Sequence, residues 1–140
     1  MRDIFELNST DLKWLEDKFL RYNQLDREIA IRKEELKIKE VDENIGGGKA
    51  NIVSSAVENQ VIKEMSDPFI MQRESWKTSI NRSIKEQNQD VQLLIHEKYW
   101  GEMSYMDWET VGECLGYSKS TVYRIRYKVL ESFAKHIGYI

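Results

Sequence analysis

The sequence predicts an all-α protein: a long N-terminal helix packed with a middle helix, followed by a C-terminal unit of shorter helices. Apolar residues recur at i, i+3 and i+4 through most of the chain, the spacing of one helix face. Charged residues make up 32% and hydrophobic residues 41%, a composition of charge-rich helical proteins with a core. One proline, Pro68, leaves long stretches without a helix breaker.

The first helix is expected from Asn8 to about Val41. Asn8, Ser9 or Thr10 can cap it, and Asp11 favours the first turn. Leu12, Leu15, Phe19, Tyr22, Leu25, Ile29 and Leu36 form a near-heptad stripe, interrupted by Asp26 and Lys33. Such a stripe packs on another helix, either in a hairpin or in a homodimer through the N-terminal helices. The alternating Glu/Lys run from Lys33 to Glu43 reads as a solvated face. The segment Asn44-Ile-Gly-Gly-Gly-Lys-Ala-Asn51 then ends the helix, because three glycines cost too much backbone entropy to continue it. A phosphate-cradling loop needs a preceding strand and Lys followed by Ser or Thr, whereas Lys49 precedes Ala50. The segment therefore reads as a flexible turn, with a DNA-backbone contact through Lys49 and the glycine amides as the remaining option.

Val53, Val57, Val61 and Met65 predict a shorter amphipathic helix. Asp67-Pro68 caps and opens the next, with proline at the favoured first position. Phe69, Arg73, Trp76, Ile80 and Ile84 share one side of it, and it could lie antiparallel to the N-terminal helix. Gln87-Asn88-Gln89 is a polar break, which divides the chain into a helical region 1–88, containing the glycine loop 44–51, and a domain 89–140. A supporting helix carries Val91, Leu94, Ile95 and Tyr99. Trp76, Trp100 and Trp108 read as core or hinge packing.

The last segment is the most informative. Val111 and Leu115 share one helix face, and so do Val122 and Ile125. Asp107 and Ser118 are the N-caps of these two helices. Gly116 lies where the chain leaves the first helix and needs φ > 0. Gly112 lets the two helices cross closely. This is the pattern of a helix-turn-helix, in which the second helix enters the DNA major groove.

Charge supports that reading. The chain has a net charge of −3, yet residues 117–140 carry +4 and residues 89–116 carry −5. Phosphate contacts respond to local potential, so a basic helix binds DNA on an acidic protein. The acidic stretch points away from DNA or toward a protein partner. The polar surface of the second helix is Lys119, Ser120, Thr121, Tyr123, Arg124, Tyr127 and Lys128.

Other classes are disfavoured. His96 and His136 are far apart, and no Cys/His ligand set or Ser/His/Asp arrangement stands out, so neither an enzyme nor a metal or cofactor site is expected. No apolar run approaches a membrane span, and the N-terminus does not read as a signal peptide. A single Cys114 forms no intrachain disulfide and fits a reducing cytoplasm. Beside the core face of its helix, it reads as a small packed hydrophobe.

Leu115-Gly-Tyr-Ser-Lys-Ser-Thr-Val-Tyr-Arg-Ile125, with the supporting helix ending Glu97-Lys-Tyr-Trp100, resembles region 4 of sigma-70-type factors. The long first helix, the glycine segment and the sigma-like end occur in the order of the RinA/ArpU family of phage late-gene transcriptional regulators, which the whole chain resembles. That resemblance implies activation of packaging and morphogenesis genes in the cytoplasm of a bacterial host. By the same resemblance, base reading falls on Lys119, Ser120, Tyr123 and Arg124. Sigma factors often carry an Arg/Glu pair where this chain has Lys119 and Ser120, which implies a target other than the ordinary −35 hexamer.

The expected function is thus a sequence-specific, double-stranded DNA-binding regulator reading DNA with helix 118–136. Ser118 and the amides of the helix N-terminus would hold a phosphate. Arg124 is the first choice for a bidentate guanine contact and Lys119 the second. Ser120 and Thr121 would contact bases or phosphate, and Tyr123, Tyr127 and Lys128 would track the backbone. The alternatives are a small terminase-like DNA-packaging protein and a sigma-like module that docks on RNA polymerase.

Overall fold

The computed structural model describes residues 6–43 and 50–140, and side chains at 6–37 and 55–140. The glycine segment at 44–49, with Lys49, and the side chain of Val53 lie outside the described residues. The described residues form seven helices and no strand: α1 (Ser9–Leu20), α2 (Tyr22–Glu43), α3 (Ala50–Ser66), α4 (Pro68–Lys85), α5 (Gln89–Trp100), α6 (Trp108–Cys114) and α7 (Lys119–His136). Among them no helix is long and apolar enough to cross a membrane.

Of the three candidate caps for α1, the structure uses Asn8. Its side chain accepts from the Asp11 N–H at 2.9 Å, and the Asp11 carboxylate accepts from the Asn8 N–H at 2.8 Å, a reciprocal capping box. The expected single helix is interrupted at Arg21 (φ −83°, ψ −7°). The cause is tertiary. Trp100 Nε1 donates to the Phe19 carbonyl at 2.8 Å, and a side chain entering the backbone ladder is a known source of helix breaks.

The chain forms two compact units, one of residues up to Tyr22 with Trp76–Ile140 and the other Asn23–Ser75. They do not follow a linear division at 88/89: α1 belongs with the C-terminal helices. In the first unit, Leu15, Phe19, Ile80, Leu94, Ile95, Val111, Val122, Val129, Leu130 and Phe133 are fully buried. Phe19 meets Phe133 edge-on at 5.2 Å and Tyr99 at 4.9 Å, which joins α1 to α7 and α5. Each such side chain contributes roughly 1.5–3 kcal/mol by leaving water. The tail returns to α1: Tyr139 stacks on Trp14 and its hydroxyl donates to Asp11 at 2.6 Å. Trp76 and Trp108 are buried and Trp100 is half-buried.

In the second unit, α2 and the first half of α4 run antiparallel. Arg73 pairs with Glu28 at 3.0 Å, and Arg32 pairs with Asp67 at 2.8 Å. Ile29, Leu36 and Ile70 form a small apolar cluster. Asp67 also caps α4, accepting from the Ile70 N–H at 3.1 Å. Hydrogen bonds from Arg32 hold the Asp67 carboxyl below the ordinary aspartate range. The N-terminal stripe is consumed within the chain: Leu15, Phe19, Leu25, Ile29 and Leu36 are all buried. By contrast, the Val57, Val61 and Met65 stripe of α3 is exposed.

Candidate nucleic-acid interface

Helices α6 and α7 are joined by a tight turn whose geometry follows from its residues. Asp107 caps α6 by accepting from the Thr110 N–H at 2.8 Å. Gly116 takes φ +87°, a conformation that only glycine adopts without a Cβ penalty. The Tyr117 N–H then closes onto the Gly112 carbonyl at 2.8 Å. Ser118 caps α7, with its oxygen facing the Thr121 N–H at 3.4 Å and its hydroxyl donating to Thr121 Oγ1 at 2.9 Å. Replacing Ser118 by Ala should cost about 1 kcal/mol in urea unfolding, the usual value of such a cap. A change under a few tenths would show that the amides are satisfied otherwise.

The helices touch at Gly112. A Cβ there would lie 2.0 Å from Val122 Cγ2, closer than any real contact. Val111, Gly112, Val122, Val129, Leu130 and Phe133 are buried, and Ile125 is half-buried. The polar face of α7 is therefore turned outward. Cys114 departs from its expected place in the core and is exposed. Trp108, Val111 and Gly112 are the residues of this short helix that turn inward, and Cys114 falls outside their arc.

One buried polar cluster anchors α7. Glu16 on α1 accepts from Arg126 Nε (3.0 Å) and Nη2 (2.8 Å), from Trp108 Nε1 (2.7 Å) and from Tyr99 Oη (2.9 Å). Burial pushes the Glu16 carboxyl upward, but the Arg126 hydrogen bond and charge, with Trp108 and Tyr99, outweigh it and hold the group below its ordinary value. Tyr99 is pushed well up by burial and by the Glu16 charge, so its phenol stays a donor. Nothing local in the sequence separates Arg126 from the other cations of α7, and its partner lies 110 residues away.

The candidate contact residues fall into two groups. Ser118, Lys119, Ser120, Arg124 and Lys128 are exposed. Tyr123 is partly exposed, and Thr121 and Tyr127 are half-buried. Tyr127 is turned toward its own chain, its hydroxyl accepting from the Leu7 N–H at 3.1 Å. Glu109 on α6, absent from the sequence-based set, engages two of the others: Lys119 Nζ lies 3.3 Å from its carboxylate and Tyr123 Oη donates to it at 3.3 Å. Burial, then the Glu109 charge, raises the Tyr123 phenol. Lys135 pairs with Glu131 at 3.9 Å. Of the five cations from Tyr117 onward, Arg124 and Lys128 thus have no ion-pair partner among the described residues.

The comparisons with known proteins place the chain in one family. A family model described as "Protein of unknown function (DUF722)" matches residues 13–135. No curated protein and no solved structure matches the chain. Since the match runs from within α1 to the last turn of α7, the chain belongs to the DUF722 family.

Proposed function

We propose that this protein is a sequence-specific, double-stranded DNA-binding transcriptional regulator that inserts α7 into the major groove as the second helix of a helix-turn-helix. The observation that carries this reading is the outward face of α7. It presents Arg124 and Lys128, without an ion-pair partner among the described residues, beside Ser120 and the capped N-terminus at Ser118, on a helix locked to α6 through Gly112 and Val122. Such a helix supplies guanidinium and ammonium donors for bases and phosphates at low cost in prior ion pairs. The resemblance to RinA/ArpU regulators supports activation of phage late genes as its role, in the cytoplasm of a bacterial host. The acidic exposed residues Glu102 and Glu113 leave RNA polymerase as a protein partner.

Selection from random DNA followed by fluorescence anisotropy tests the reading. Arg124→Ala should cost about 1–3 kcal/mol on the selected site and relax its sequence preference. Lys128→Ala should weaken all sequences alike and lower the salt slope by about one unit. Equal losses for Arg124→Ala on selected and random DNA would contradict the base-reading role. Binding that appears only with polymerase present would favour the docking module instead.

A further inference from the structure

Helix α3 faces the wrong way for a helix serving only its own chain. Among its described side chains, from Ser55 onward, the half-buried ones are Ala56, Gln60, Lys63 and Glu64, a mostly polar edge. That edge meets α2 through Lys33, whose ammonium lies 3.8 Å from Glu64 and whose carbonyl accepts from Gln60 at 3.5 Å. Gln60 Oε1 is buried there without a hydrogen-bond partner among the described residues. The other side is apolar and open: Val57 is 60% exposed, Val61 49%, Ile62 62% and Met65 73%. A helix of 17 residues draws little stability from its backbone alone and depends on packing its apolar face. The second unit has little else to offer, because its buried apolar side chains among the described residues are Leu25, Ile29, Leu36 and Ile70. No cysteine occurs between Asn23 and Ser75. Units of this size with so small a core commonly gain the rest by association.

We infer that this stripe is a self-association surface, through which two copies of the chain pair with their α3 helices antiparallel about Val61. Area argues for a second copy. The four side chains leave roughly a few hundred Å² of apolar surface in water on one helix face, a patch of the size that is often functional. A standard interface buries roughly 800 Å² per partner, somewhat over half of it apolar, so the stripe matches the apolar centre of one. Two-fold pairing is the commonest closed arrangement and needs one self-complementary patch. Glu58 is exposed beside Met65 and Ile62 on the helix wheel and favours one direction, since the acid it meets is offset by a cation in the antiparallel register alone. Parallel pairing would set it against its own copy. The antiparallel register about Val61 brings it level with Glu64, whose carboxylate is already engaged by Lys33 and by Gln60 at 2.8 Å. Val57 then meets Met65 of the second copy, and Val61 meets Val61.

Sedimentation equilibrium of the full chain should give a dimer at micromolar concentration. Introducing Val61→Glu and Met65→Glu together should raise the dimer dissociation constant by at least about 30-fold, as removal of an interface centre does. DNA binding by the resulting monomer should remain dependent on Arg124, so this inference and the regulatory reading fail separately. A second readout does not depend on the charged variant folding normally. In a Cys114→Ser background, Val61→Cys should cross-link two chains under mild oxidation, whereas Tyr105→Cys, at a position 81% exposed in the other unit, should not. A monomeric wild-type chain, a dimer indifferent to both glutamates, or equal cross-linking at the two positions would each overturn the inference.

Discussion

Glu16→Ala should lower the free energy of unfolding by about 3 kcal/mol, because it leaves a largely buried guanidinium without its counter-charge. Arg126 and Glu16 expose 19% and 17% of their side chains. The same substitution deprives the Trp108 indole and the Tyr99 hydroxyl of their acceptor. Urea denaturation of the variant measures the loss, and a change below about 1 kcal/mol, the value of an exposed pair, would refute the anchoring role. Arg126→Ala should destabilise by a similar amount without relaxing sequence preference, which distinguishes it from Arg124→Ala.

The pair also makes a pH prediction. The folded-state pKa of Glu16 lies below its ordinary value of 4.5. Its contribution is therefore complete above that value and is lost as pH falls through the lower, folded-state one. In Glu16→Ala, stability should decline less steeply on acidification than in the native chain. Some acid sensitivity should remain, since Asp11, Asp67, Glu86 and Asp107 are also held below their ordinary values. An unchanged acid slope would mean that the carboxylate contributes nothing specific to folding.

Gly112→Ala should cost about 2–3 kcal/mol and greatly weaken DNA binding. The added methyl would stand 2.0 Å from Val122 Cγ2 and 3.2 Å from its Cβ. Both groups belong to fully packed helices, so relief requires α6 and α7 to separate, and overpacking of this kind costs up to about 3 kcal/mol. The mechanism is steric, so it predicts its own rescue. The Gly112→Ala, Val122→Ala double variant should be at least about 1 kcal/mol more stable than the sum of the single losses implies, as neighbours sharing one space couple. Strict additivity would show that the penalty lies in the α6 backbone rather than in the crossing.

Much of the local architecture was legible in the residues. The caps at Asn8, Asp107 and Ser118, proline at the start of α4 and positive φ at Gly116 are consequences of interactions spanning a few residues. The helical period also marked the buried face of α5 (Val91, Leu94, Ile95, Tyr99) and, on α7, the buried Val122 with the half-buried Ile125. The interruption at Arg21 escaped because it depends on Trp100, 81 residues from the carbonyl it takes. Cys114 escaped because a helix as short as α6 leaves little pattern from which to judge its inward arc.

The amphipathic stripes illustrate the division. Periodicity identified an apolar face on the N-terminal segment and another on α3 alike, but period alone does not say what a face packs against. Tertiary packing buried the first and left the second in water. The same holds for the cations of α7. By itself the sequence determined the caps of α6 and α7, the turn at Gly116 between them and which helix carries the basic face, since caps, turns and period act over about one helical turn. Only the tertiary structure decided which cations remain for a ligand. It committed Arg126 to Glu16 and Lys119 to Glu109 while leaving Arg124 and Lys128 outward, because an ion pair is chosen by distance in space and not along the chain.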